Sequence, residues 1–82
     1  NLISTLTNHS DPVCNIILCA HNRFISCSHD NTVKIWKNEY PYEVITSLQH
    51  DNKVFDILKL SHKEILISST TFNSIDFWDN QW

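Results

Sequence analysis

The sequence contains no glycine and only two prolines among 82 residues, so its tight turns lack the residue that most readily adopts positive φ angles. Asparagine is abundant and tolerates the left-handed conformation, so we expect it to serve in those turns. The six lysines and arginines are scattered, which argues against a counterion-displacing nucleic-acid surface. No apolar run is long enough for a membrane-spanning helix, and the N-terminal residues lack the pattern of a signal peptide.

Cysteine is also scarce, because Cys14, Cys19 and Cys27 are the only three. An odd number cannot form a complete disulfide framework within the chain, so we expect reduced structural thiols and a cytoplasmic or nuclear location. The cysteine spacings match no common zinc pattern, and we predict neither a metal nor another cofactor. An independent all-β metal-binding module is kept as an alternative, which metal analysis of the purified chain would test.

The composition is that of a globular chain, with 41% hydrophobic and 18% charged residues. The sequence repeats itself with a period near 41 residues. Residues 23–37 match residues 64–79 with one extra residue in the second copy, which we place in the polar stretch before the last strand. We assign the first repeat to residues 1–41 and the second to residues 42–82. The aligned pairs are His9 and His50, Val13 and Val54, Ile16 and Ile57, His21 and His62, and Trp36 and Trp78.

Each copy alternates short apolar segments with turn residues, which predicts strands. No stretch has a helical 3.6-residue period of useful length, so the predicted fold class is all-β. The predicted strands are Leu2–Thr7, Val13–Cys19, Phe24–Cys27, Thr32–Trp36, Glu43–Leu48, Lys53–Lys59, Glu64–Ser68 and Ser74–Trp78.

The segment FISCSHDNTVKIW resembles the core of WD repeats, in which a strand of small residues leads through an Asp-containing turn to a strand ending in Trp. His9 stands where that family has the His of its Gly-His pair, with Asn8 in place of Gly, and Trp78-Asp79 is a Trp-Asp pair. The resemblance covers nearly the whole chain. It implies a partial β-propeller of about two blades, each of four antiparallel strands.

The resemblance also implies that sequence repeats and blades are offset. Residues 2–7 would be the outer strand of a preceding blade, residues 13–48 one complete blade, and residues 54–78 the inner three strands of the next. Because two repeats cannot bury all their faces, we expect a fragment of a longer propeller and further blades as partners.

A hydrogen-bond network is implied for the first repeat by the resemblance. It joins His9, Ser26, Asp30 and Trp36, with Ser26 accepting the buried indole N–H and His9 linking Ser26 to Asp30. Ser, His and Asp are also the residue types of a hydrolytic triad, but the repeat context favours the structural role, and we predict no catalytic residue.

The second repeat keeps His50 and Trp78, but its network is predicted to be broken. Ile67 is expected at the position of the serine, and Thr71 or Asn73 at the position of the aspartate. The second blade would then depend more on packing.

The resemblance implies a non-catalytic scaffold that binds other proteins or peptides, and no nucleic acid or membrane. Cys14, His29, Phe55 and Thr70 occupy loop and turn positions that often contact partners in the family. Phe55 is the strongest candidate, since aromatic residues anchor interfaces, although it could instead pack against a neighbouring blade. The alternative function is a regulatory or substrate-recruiting propeller segment of a larger enzyme, such as a kinase or a ubiquitin ligase.

Overall fold

The computed structural model describes residues 1–19, 22–60, 65–70 and 75–78, and of residues 59, 60 and 65–70 it describes the backbone alone. Within these ranges the regular structure consists of strands. No helix there is long and apolar enough to cross a membrane. The strands are β1 (Val13–Cys19), β2 (Arg23–Ser28), β3 (Thr32–Lys37), β4 (Val44–Gln49), β5 (Val54–Leu60), β6 (Ile65–Thr70) and β7 (Ile75–Trp78).

The strands form two antiparallel sheets. Blade 1 has the order β1-β2-β3-β4, and blade 2 has the order β5-β6-β7. Each strand pairs with the next one along the chain, as expected for strands joined by short connections. The predicted all-β class and the partial propeller with a four-stranded antiparallel blade are confirmed.

Asparagine makes the tight turns of blade 1. Asn22, before β2, has a φ angle of 59°, and Asn31, before β3, has a φ angle of 74°. The left-handed conformation costs most residues energy but is tolerated by asparagine, so the expectation drawn from the missing glycines is confirmed. The longer β3–β4 loop contains a cis Tyr40–Pro41 peptide bond and a third positive φ angle, 62° at Tyr42.

Residues 2–7 form no strand in the structure, so the prediction of a strand there is wrong for the chain as described. A strand is held by backbone hydrogen bonds to a neighbour, and no pairing among the described strands uses these residues. Leu2 and Ile3 are accordingly exposed. The assignment of this segment to a preceding blade stays a prediction, since it needs a partner strand from outside the described residues.

The extra residue of the second repeat lies between β5 and β6, not before the last strand as predicted. Residues 20–22 connect β1 to β2, whereas residues 61–64 connect β5 to β6. In the resulting register Ser68 pairs with Asp76, just as Ser26 pairs with Lys34 in blade 1. The prediction that Ile67 takes the place of the serine is therefore wrong by one residue, and Ser68 is the equivalent of Ser26.

The core lies between the two blades. Its buried cluster combines four side chains of blade 1 with two of blade 2, and β5 contacts both β1 and β2. Because strands alternate their side chains between two faces, each blade presents one apolar face to this core and a second face away from it. The buried side chains are Ile25, Cys27, Val33, Ile35, Val54 and Ile57.

Two of the three cysteines are joined, which corrects the expectation of reduced thiols. Cys14 and Cys27 form a disulfide between β1 and β2, with Cα atoms 5.6 Å apart, next to a register shift between Val13 and Asn15. The irregularity brings Cys14 toward Cys27, which pairs with Asn15 in the ladder. The thiol of Cys19 donates a hydrogen bond to the carbonyl oxygen of Arg23 at 3.3 Å.

Candidate functional site

The four side chains singled out in the first repeat meet in one hydrogen-bonded chain. The indole Nε1–H of Trp36 donates to Ser26 Oγ at 2.8 Å. Ser26 Oγ lies 2.6 Å from His9 Nε2, and His9 Nδ1 lies 2.8 Å from Asp30 Oδ2. These bonds link the loop before β1 to β2, the β2–β3 turn and β3, and so tie four segments of one repeat together.

One proton arrangement satisfies every group in this network. With a proton on Nδ1, His9 donates to the Asp30 carboxylate and its Nε2 accepts the hydroxyl proton of Ser26. The Ser26 oxygen then accepts the indole N–H. A neutral histidine thus connects the buried indole to a carboxylate without leaving a donor or acceptor unmatched.

Asp30 collects further hydrogen bonds around the same carboxylate. Oδ2 accepts the backbone N–H of Ser10 at 3.1 Å, and Oδ1 accepts the backbone N–H of Thr32 at 2.9 Å together with the Thr32 hydroxyl. Burial by itself would raise the pKa of Asp30, but the bonds from Thr32, His9 and Ser10 outweigh it and lower the pKa to about 2. The carboxylate therefore stays ionised over the whole physiological pH range.

Sequence reasoning missed Ser10 and Thr32 as partners of Asp30. For Thr32 the signal was present, because an Asp side chain commonly accepts the backbone N–H two residues further along the chain. Aromatic packing completes the surroundings of the network, with the ring of Phe24 stacked on Trp36 at a centroid distance of 5.5 Å.

Burial argues for a structural role of this network. Ser26 is 3% exposed, and its oxygen lies between the indole of Trp36 and the ring of His9. A nucleophile must be reachable by a substrate and must lie beside an oxyanion site. The Ser26 hydroxyl is enclosed by its own repeat, which favours a structural role for Ser26 over a nucleophilic one.

In the second repeat the carboxylate near the histidine belongs to a strand, whereas in the first repeat it belongs to the β2–β3 turn. His50 Nε2 lies 3.6 Å from Asp76 Oδ2, and the imidazole packs edge-on against Trp78 at 5.3 Å. Asp76 belongs to β7 and occupies the position that Lys34 has in blade 1. Sequence reasoning missed Asp76 because its contact with His50 joins the loop before β5 to strand β7, which are far apart in the sequence. Thr71 and Asn73, the predicted substitutes for Asp30, lie outside the described residues.

Two of the four predicted contact residues lie together at one end of the sheets. The ring of Phe55, at the start of β5, meets the imidazole of His29 edge-on at a centroid distance of 5.3 Å. The backbone N–H of His29 donates to the carbonyl oxygen of Pro12 at 3.1 Å, which fixes the turn against the loop before β1. Phe55 nevertheless remains half exposed.

The other two predicted contact residues, Cys14 and Thr70, are not part of this ring contact. Cys14 is partly buried, bonded to Cys27, and its sulfur lies 3.4 Å from the carbonyl oxygen of Val54. Thr70 ends β6, where it pairs with Val54, and its side chain lies outside the described residues. Of the four predicted residues, His29 and Phe55 are therefore the two that meet at this end of the sheets.

No group of three or more His, Cys, Asp and Glu residues within the described ranges could hold a metal ion. The two blades also share a polar contact at their inner strands. The Asn15 amide donates to Asp56 Oδ1 at 2.7 Å, and these two residues occupy the same position in their respective repeats.

Comparison with known proteins finds a matching family model and similar proteins. Residues 1–37 match the family model described as "WD domain, G-beta repeat". The chain is similar to dynein axonemal intermediate chain 4 of Xenopus laevis, with 25% identity over 80 residues. The matched region is 94% of this chain but only 11% of that protein's length.

Proposed function

We propose that the chain forms part of a non-catalytic protein-interaction scaffold, because residues 1–37 match the WD-repeat family model and WD-repeat domains generally bind other proteins. The observation that carries this proposal is the half-exposed ring of Phe55, held edge-on against His29 at the blade end. An aromatic ring with a fixed orientation loses little entropy on binding and is a frequent interface anchor.

The end surface also suggests the chemistry of the partner. Asp56 follows Phe55 in β5 and is exposed, and the chain carries a net charge of −3. We propose a partner segment with an apolar side chain that contacts Phe55 and a neighbouring Lys or Arg that faces Asp56. A rim charge pair of this kind guides encounter and orientation more than it adds affinity.

Of the two roles that the sequence left open for Phe55, we propose contact with a partner as the main one. Its ring contacts His29 of blade 1 across the blade junction, which supports packing, and its exposed half supports contact with a partner. The proposed site contains fewer than the four predicted residues. Cys14 is left out because its sulfur is bonded to Cys27 and lies against the carbonyl oxygen of Val54.

A selection experiment tests this function. A peptide library is panned on the immobilised protein, and the selected peptides are measured against Phe55→Ala and Tyr40→Ala. Tyr40 is an exposed aromatic residue in the β3–β4 loop, at the opposite end of the sheets, and so is a matched control. We expect Phe55→Ala to weaken binding at least about tenfold, with nearly unchanged melting temperature, and Tyr40→Ala to leave both unchanged.

Two results would count against the proposed site. If peptides still bind Phe55→Ala, the ring is not an anchor. If the melting temperature falls greatly, the ring is needed for packing of the fold.

The alternative function, a regulatory or substrate-recruiting propeller segment of a larger enzyme, would require a catalytic motif elsewhere in a longer polypeptide. The cytoplasmic or nuclear location stays a prediction, which fluorescence localisation of the tagged protein would test.

A further inference from the structure

We propose that the Cys14–Cys27 disulfide is a reversible redox switch for the blade end at His29 and Phe55. The oxidised form holds the two rings in their edge-on contact. Reduction to two thiols loosens that contact and weakens partner binding. This inference rests on the proposed function, because it concerns the regulation of the same site.

The disulfide lies close to His29 along the chain. Cys27 is the second residue before His29. The backbone N–H of His29 donates to the carbonyl oxygen of Pro12, which is the second residue before Cys14. A short loop of covalent and hydrogen bonds therefore joins both cysteines to the turn that carries His29.

The disulfide also touches the peptide unit that precedes Phe55. The sulfur of Cys14 lies 3.4 Å from the carbonyl oxygen of Val54, and the carbon of that carbonyl is bonded to the backbone nitrogen of Phe55. A displacement of the Cys14 sulfur therefore reaches the start of β5 through a direct contact. The same bond thus has a route to each of the two rings at the blade end.

The two sulfur atoms have unequal surroundings, which decides where an external thiol attacks. Cys27 is fully buried in the core with Ile25, Val33 and Ile35. Cys14 is partly exposed and is the more accessible of the two. An attacking thiolate therefore bonds to the Cys14 sulfur and displaces Cys27 as the leaving thiolate.

A dithiol reductant supplies the electrons for this exchange. Its first thiolate forms a mixed disulfide with Cys14, and the sulfur of Cys27 leaves and takes up the proton that the first thiol released. Its second thiolate then attacks the reductant's sulfur in the mixed disulfide and releases Cys14, which takes up the second proton. One protein disulfide and one dithiol thus give two protein thiols and one reductant disulfide, and an oxidised dithiol reverses the reaction.

The fold accommodates both redox states. A reduced cysteine behaves as a small hydrophobic residue, so Cys27 stays in the core after reduction. The β1–β2 ladder keeps its pairs from Asn15 to Cys19 without the disulfide, while Cys14 lies in the irregularity between Val13 and Asn15. Reduction therefore changes the position of Cys14 and leaves the sheet paired.

Reduction moves the Cys14 sulfur, because two sulfur atoms that are no longer bonded must separate to van der Waals distance. Cys27 is enclosed by a close-packed core, so the displacement falls on Cys14. The new Cys14 thiol has an acceptor in the Val54 carbonyl, which draws it toward β5. The turn of His29 loses its covalent tie to β1 and the start of β5 adjusts, so the rings lose their fixed alignment.

Hydrogen exchange of the oxidised and the dithiothreitol-reduced chain, measured without peptide, tests this coupling. Alkylation of the denatured, acid-quenched samples followed by mass spectrometry gives the fraction of Cys14 and Cys27 that is reduced. We expect reduction to speed exchange in the β2–β3 turn and at the start of β5, with the β3–β4 loop unchanged. Reoxidation with oxidised dithiothreitol should restore the first pattern.

Substitutions separate this bond from general effects of the reductant. Cys14→Ser and Cys27→Ala should each show the exchange pattern of the reduced chain with and without dithiothreitol. Cys19→Ser is the matched control, because Cys19 lies in the same strand β1 and outside the disulfide. It should respond to the reductant like the unmodified chain.

Peptide binding connects the switch to the proposed function. Peptides selected on the oxidised chain should bind the reduced chain and Cys14→Ser about two- to tenfold more weakly, because the ring must then be immobilised on binding. If the peptides depend on Phe55 and bind both redox states equally, the switch is wrong and the proposed function stands. If they do not depend on Phe55, the proposed function is wrong, and the exchange comparison still decides whether the disulfide fixes the ring contact.

Four further results would overturn the switch. They are cysteines already alkylated without reductant, a disulfide that resists dithiothreitol while the chain is folded, identical exchange in the two redox states, and loss of the fold on reduction. Circular dichroism of the reduced chain detects the last of these, which would make the disulfide a structural bond.

Discussion

Replacing Asp30 by asparagine tests the hydrogen-bond network of the first repeat with the least change in shape. The carboxylate accepts bonds from His9, from the Ser10 N–H, and from the N–H and hydroxyl of Thr32. Asparagine keeps one acceptor oxygen and turns an amide NH₂ toward the remaining donors. Hydrogen bonds to a charged group contribute about 1.5–3 kcal/mol each, so we expect Asp30→Asn to lower the free energy of unfolding by about 2–4 kcal/mol at pH 7.

The same variant makes a prediction about pH. The pKa of Asp30 is lowered from its ordinary value of 3.8 to about 2 in the folded chain. A lowered carboxyl pKa stabilises the fold above the unfolded-state value, and this contribution is lost as the pH falls from about 4 toward 2. The shift corresponds to about 2 kcal/mol, and the Asp30 side chain is only 6% exposed, so solvent screening is small. The deficit of Asp30→Asn should shrink by that amount between pH 5 and pH 2.

Urea unfolding followed by tryptophan fluorescence, at one fixed protein concentration and several pH values, measures both effects. Asp11→Asn is the matched control, because Asp11 is an exposed carboxylate in the preceding loop. The control should stay within about 0.5 kcal/mol of the unmodified chain. A deficit for Asp30→Asn that is equally small at pH 7, or one that does not change with pH, would refute the reasoning.

Two further predictions concern the covalent and polar links near the blade junction. In a non-reducing tryptic digest, mass spectrometry should find the peptides containing Cys14 and Cys27 linked, and their absence as a linked pair would contradict the disulfide. Asn15→Ala should lower the free energy of unfolding by about 0.5–1.5 kcal/mol through loss of the bond to Asp56, as measured by urea unfolding, and an unchanged midpoint would show that the inter-blade bond contributes nothing.

The strands were predictable from sequence because their apolar segments are short and separated by turn residues. β1 has the predicted bounds, and the predicted ends of the other six strands are within two residues of those observed. The segment 2–7 has an equally good strand pattern, but pattern alone does not supply the neighbour to which a strand must bond.

The alignment of the second repeat was the part that the sequence could not settle. Ile65, Leu66 and Ile67 are all apolar, so sliding the second copy by one residue costs little in a comparison of residue types. Backbone pairing decides it, because a one-residue slip moves every side chain to the other face of the sheet. The observed register makes Ser68 the equivalent of Ser26.

The candidate site was predictable where the family pattern is local and not where it depends on folding. The resemblance to WD repeats implied His9, Ser26, Asp30 and Trp36, and the structure brings them within hydrogen-bond distance. The approach of Asp76 to His50 and the pairing of Cys14 with Cys27 depend on strand packing and on a local irregularity in β1. Neither is visible in residue spacing.

The most direct test of the account is a hydrogen-exchange footprint of a selected peptide bound to the protein. The proposed partner binds at the blade end formed by His29 and Phe55. We therefore expect slower exchange in the β2–β3 turn and at the start of β5, with unchanged exchange in the β3–β4 loop at the opposite end. Protection centred on the β3–β4 loop, with the His29 turn and the start of β5 unchanged, would contradict it.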